Sequence, residues 1–151
     1  MSRYFKPGEL LRGSDPETIT WAILDEIDAL VTIVLDPLRS SFGRAIRVTS
    51  GYRDPLKNDE VGGHPTSVHM TGRAADIQPW SFSDKALAQL WTALIRSNIP
   101  FDKACLYDGF IHVHISAQGS HGGRRLTYQC LDGKTWVNKK HIPPTTNYRS
   151  N

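Results

Sequence analysis

The chain lacks any apolar run approaching the roughly 18 residues that a membrane-spanning helix requires, so a membrane partner is not expected. Its opening stretch, MSRYFKPGELLRGSD, has no apolar core followed by a small-residue cleavage site. The expectation is therefore no signal peptide: a protein made in the cytoplasm that reaches any extracellular target by another route. Cysteine is scarce. Cys105 and Cys130 form no CxxC pair, which excludes a disulfide framework. Both lie in strand-like stretches, and buried free thiols are the simpler expectation, with a pairing between neighbouring strands left open. Glutamate is absent after Glu60, so aspartate is the only carboxylate side chain in the second half. There is also little excess charge: 18 Lys and Arg against 15 Asp and Glu give a net charge of +3. That surface attracts polyanions, whether nucleic acid or an anionic cell wall. RNA-binding strand aromatics and zinc-finger spacing are missing, which argues against a nucleic-acid partner.

What is present is enough for one folded domain. The 151 residues, 39% of them hydrophobic, can bury a core without help from disulfides or metals. SDPETITWAILDEIDALVTIVLDPLRSSFG reads as helix, with Asp15 as N-cap and Pro16 at the first helical position. Leu24, Ile27, Val31, Val34 and Leu38 mark its buried stripe, and Pro37 predicts a kink or a restart capped by Asp36. AIRVTSGY reads as strand then turn, and RDPLKNDEVGGHPTS as a long loop. A short strand begins near Arg73, and SFSDKALAQLWTALIRSN reads as helix capped by Ser81 or Ser83. FDKACLYD, FIHVHIS and RRLTYQC read as three strands of an antiparallel meander. The fold class is α+β, a small mainly antiparallel sheet with flanking helices. Residues 1–132 form the domain, and 133–151 are a polar extension packed on it or trailing from it.

Chemistry concentrates in the histidines. His69 stands seven positions before Asp76, while His112 and His114 lie two apart in a strand-like run. Side chains two apart in a strand share a face. Phe110, His112, His114 and Ser116 then line one face, and Ile111, Val113 and Ile115 the core face. One imidazole of the pair could join His69 and Asp76 in a three-ligand site, the pattern of a catalytic zinc with an open fourth position. The alternative is a capped turn beside surface histidines.

Ser50-Gly51-Tyr52-Arg53 after a strand, an Asn and Val-Gly-Gly loop, Ser67-x-His69-x-x-Gly72-x-Ala74-x-Asp76 and a late aromatic-x-His strand resemble one zinc peptidase family. It is that of the D-Ala-D-Ala carboxypeptidases and L-alanyl-D-glutamate endopeptidases, nearest to its small phage-type members. The likeness spans roughly residues 4 to 129. It implies a hedgehog/D-Ala-D-Ala-peptidase-like fold, a Zn2+ cofactor and peptidoglycan as partner, acted on by a monomer made in a host cytoplasm and delivered on lysis or in a virion. It implies His69 and Asp76 as zinc ligands, His112 as the third with His114 as the competing choice, and Arg53 as holder of a substrate oxygen. Ser67 is implied to hydrogen-bond within the site and contact substrate, and the spare histidine, His114, to bind substrate or serve as a second acid–base group. The family places an acidic residue, often glutamate, shortly before the third ligand as general base. This chain departs from that, and Asp108 takes the assignment on the premise that it shares the ligand face, with Asp102 as fallback. That departure keeps open a binding module of the same fold without turnover. The charge alone keeps open a nucleic-acid-binding domain.

Overall fold

A computed structural model of the chain describes residues 2–117, 123–130 and 137–138. Most of the 133–151 extension lies outside them, as do residues 118–122 and 131–132.

The N-terminal helical region is more broken than its periodicity predicts. Pro7–Leu11 form a short helix α1, and Asp15 caps only a 3-10 turn, Pro16–Thr18. The long helix starts afresh at Thr20, whose hydroxyl accepts from the Ile23 amide, and runs as α2 over Trp21–Leu30. A π-helical stretch, Val31–Leu35, then leads into α3, Asp36–Phe42. Pro37 explains the widened turn. It has no N–H to donate, and its ring would collide with the carbonyl one turn earlier in a regular helix. The apolar stripe survives the change: Ile27, Val31, Val34 and Leu38 are buried.

β1 covers Ile46–Ser50, β2 Ala74–Pro79, β3 Lys103–Tyr107, β4 Phe110–His114, β5 Leu126–Cys130 and β6 Val137–Asn138. They form one sheet in the order β1-β2-β4-β3-β5-β6. All neighbours are antiparallel except β3 and β5, which run parallel. The expected meander is corrected at this point. β4 has one edge on β2 and the other on β3, so β5 cannot pair with β4 as a meander would require; it joins the outer edge of β3 instead, in the same direction. A second correction lies in the segment read as a long loop. Asp54 accepts from the Lys57 amide at 2.8 Å and, with Pro55 at the first position, starts helix α4, Pro55–Glu60.

One face of the sheet is apolar. Ile46, Val48, Ala75, Ile77, Ala104, Leu106, Ile111 and Val113 meet α2, α3 and helix α5, Asp84–Arg96, which Ser83 caps. Trp91 belongs to this core and not to the surface, whereas Trp80 is exposed. Fully burying side chains such as Leu90, Leu94 and Ile111 contributes about 1.5–3 kcal/mol each. Because alternate residues point to opposite faces, Asp76, His112 and His114 are left on the other side.

Candidate metal centre

Asp76 and His112 are direct cross-strand partners on β2 and β4. Their side chains meet, with His112 Nδ1 3.0 Å from Asp76 Oδ1. His69 comes from a 3-10 turn, Val68–Thr71, which Ser67 caps by accepting the His69 amide at 3.3 Å. Gly72 closes that turn at φ +81°, a left-handed backbone that costs glycine little, and β2 follows directly. The motif spacing therefore has a geometric meaning: one turn, one left-handed residue and a short strand segment bring His69 back onto Asp76. His69 Nε2 lies 3.2 Å from Asp76 Oδ1 and 3.2 Å from His112 Nδ1.

The donor set suits a divalent ion. The Gly51 carbonyl can only accept, so His69 Nδ1 donates to it at 2.7 Å and Nε2 is left with its lone pair. Ligands about 2.0–2.1 Å from a tetrahedral zinc sit about 3.3 Å from one another. The three separations observed, 3.0, 3.2 and 3.2 Å, fall close to that. His69 and Asp76 are buried, while His112 keeps a partly open edge. Among the described residues these three are the cluster able to hold a metal ion. Burial opposes ionisation of Asp76, but in the metal-free site protons on the facing nitrogens of His112 and His69 outweigh it and hold the carboxyl below the usual range; a bound ion takes the place of those protons. Burial pushes the His112 imidazole down, against the pull of Asp76, which favours the neutral ring that a metal ligand needs.

Arg53 lies alongside. Its Nη2 is 3.3 Å from Asp76 Oδ2, its Nε donates to Ser50 Oγ at 3.0 Å, and its Nη1 reaches Asn58 Oδ1 at 3.4 Å. A β-bulge at Thr49, between Val48 and Ser50, breaks the β1–β2 register just before this segment. Bulges re-aim the chain that follows. Asn58 is a supporting residue that sequence reading treated only as part of a loop. It is buried on α4, and its amide donates to the His64 carbonyl at 2.9 Å. The Asp-Pro cap that starts α4 was the available signal for it.

The remaining assignments fall at different distances from this centre. Ser67 Oγ acts on the backbone of His69 as a cap. His114 Nδ1 is 3.0 Å from His112 Nε2, on the side away from Asp76, so His112 is the member of the pair whose nitrogen joins the cluster. His114 also lines a cleft of about 310 Å³ with Arg73, Asp102, Ser116 and Arg124. Burial, then the neighbouring His112, lowers its pKa to about 4. Asp102 is engaged with Arg124, at 2.8 and 3.0 Å, and with His114. Asp108 occupies the exposed two-residue turn between β3 and β4 with Gly109. The premise that it shares the ligand face is corrected, because β4 and its alternation begin at Phe110. Tyr107 and Phe110 flank the turn and stack at 4.6 Å. Cys105 and Cys130 are free and buried, and burial pushes the Cys105 thiol up to about 12, which makes it unreactive. No helix among the described residues is long and apolar enough to cross a membrane.

Residues 3–115, three quarters of the chain, match the family model described as Peptidase M15. No curated protein matches the chain.

Proposed function

Because the chain belongs to the Peptidase M15 family, the zinc D-Ala-D-Ala carboxypeptidases and endopeptidases, we propose that it hydrolyses an amide bond in peptidoglycan stem peptides with zinc held by His69, Asp76 and His112. The observation that carries this reading is the convergence of two imidazole nitrogens and one carboxylate oxygen within 3.2 Å of one another, with a guanidinium beside them. Bound there, zinc would supply Lewis acidity and a lowered pKa for water. Arg53 holds a planar oxygen group of the substrate and offsets charge developing on the carbonyl oxygen. Ser50 and Asn58 restrain its guanidinium, so little orientation is lost when substrate arrives. For Asp108 to take a proton from the attacking water and pass it to the leaving amine, the exposed hairpin tip that carries it must fold toward the cluster when substrate binds. Ser67 keeps His69 in place through its backbone.

Mass spectrometry of muropeptides released from defined walls tests the reading. The expected result is new fragments separated at one stem-peptide amide, lost on chelation. Intact stem peptides after incubation with zinc-loaded protein would overturn it. The exposed setting of Asp108 favours one second reading, a wall-binding module of the same fold without turnover. Under it, zinc-loaded protein would sediment with walls and leave them uncleaved.

A further inference from the structure

A chain of polar contacts begins at His112 on β4 and leads away from the metal cluster, through His114 to Asp102, just before β3, and Arg124, just before β5. His112 Nε2 lies 3.0 Å from His114 Nδ1, His114 Nε2 lies 3.4 Å from Asp102 Oδ2, and Arg124 grips both Asp102 oxygens at 2.8 and 3.0 Å. The backbone fixes the middle of this chain as well, since the Asp102 amide donates to the His114 carbonyl at 2.9 Å. Ala74 stands opposite His114 across β2 and β4, a small residue beside the ring.

The direction of every hydrogen bond follows from the outer end. Arg124 only donates, so Asp102 is an ionised acceptor. His114 must then carry its proton on Nε2 to meet Asp102, which leaves Nδ1 with a lone pair. His112 must donate to that lone pair from Nε2, which leaves its own Nδ1 bare. That bare nitrogen is the one 3.0 Å from Asp76 and 3.2 Å from His69. At the far side the Gly51 carbonyl does the same for His69 Nε2. Two lone pairs and a carboxylate oxygen then face one another with no proton between them.

We infer that His114, backed by Asp102 and Arg124, is a positioning residue that selects the tautomer and ring orientation through which His112 offers Nδ1 to the metal. The inference rests on the zinc reading above and assigns His114 a task beyond binding substrate or moving protons. Of the two adjacent arginines before β5, Arg124 anchors the relay, while Arg125 turns inward to the carbonyls of Ile95 and Ile99.

The test is the zinc affinity of the full chain, measured by competition with a chromophoric chelator, alongside thermal melting of the metal-free protein. His114→Ala is expected to bind zinc about 10–100-fold more weakly than wild type, the usual cost of losing a partner behind a ligating histidine. Its metal-free melting should be little changed. His114→Gln is expected to restore most of the affinity, because its amide oxygen accepts from His112 and its amide nitrogen donates to Asp102. Asp102→Ala, which leaves β4 untouched, should weaken binding in the same direction. A His114→Ala variant that binds zinc as tightly as a zinc-binding wild type, or a His114→Gln variant no better than His114→Ala, overturns the inference alone. A folded wild type that binds no zinc overturns the metal reading and the inference with it.

Discussion

At the scale of single residues, the metal ligands and the groups that serve them should respond differently to removal. His69→Ala and Asp76→Ala each remove one of three donor atoms, and each is expected to abolish zinc binding and hydrolysis in the purified protein. Metal analysis and a wall-turbidity assay check this, and activity surviving either change would sink the ligand assignment. Asp108→Ala should behave differently, keeping its zinc and losing about 100-fold or more in turnover, the scale of a general base. Loss of metal in that variant would instead make Asp108 a structural residue. His69 and Asp76 were legible because turn and strand put them together within one ten-residue run. The choice of His112 over His114 rested on the aromatic-x-His likeness alone, since both share a strand face; ring orientation and the contact to Asp76 are what distinguish them. The supports of Arg53 were hidden for a related reason: Ser50 and Asn58 act through side-chain hydrogen bonds that leave no periodic mark.

At the scale of elements, the segment after β1 is where packing and chemistry meet. A Cβ on Gly51 would stand 2.4 Å from the Leu10 carbonyl oxygen, which is backbone and cannot swing aside. Gly51→Ala is therefore expected to destabilise the fold by about 1–3 kcal/mol, the range for overpacking. It should also weaken zinc binding, because the Gly51 carbonyl that orients His69 must move with it. Denaturant unfolding and chelator competition on the same sample check both effects, and normal affinity in a folded variant would contradict the link. The end of α5 depends on a second device. Arg125 adopts φ 54° and places its buried guanidinium on the Ile95 and Ile99 carbonyls, above the Phe101 ring. Hydrogen bonds to a charged group contribute about 1.5–3 kcal/mol, so Arg125→Met should lower stability by that order, as read by urea unfolding. Neither feature was visible as pattern. Periodicity reports which face of an element is buried, and it is blind to a backbone approaching another backbone or to an arginine capping a helix 29 residues earlier in the chain.

For the whole molecule, the α+β class and the apolar face of the sheet followed from alternation in FIHVHIS and the helical stripe around Val31. Strand order did not, because β5 joins β3 in parallel for want of any other free edge near β4. The sheet's polar face also sets an acid limit on stability. Arg124 beside Asp102 holds that carboxyl at about 2, below its ordinary 3.8. A carboxylate lowered on folding stabilises above its unfolded pKa and loses that contribution as pH falls through its folded value. Stability should thus decline between pH 4 and 2, and Arg124→Ala should flatten this part of a melting-temperature profile. An unchanged profile would mean that the exposed Arg124 contributes no net stability in solution.

The central claim is that hydrolysis runs on a metal held by His69, Asp76 and His112. Its most direct test is amide cleavage of purified stem peptides by the full chain, before and after chelation and again with one equivalent of zinc restored. The account predicts cleavage that stops on chelation, returns with zinc in the wild type and fails to return in His69→Ala. Cleavage that continues without metal, or that zinc restores equally in His69→Ala, would contradict it.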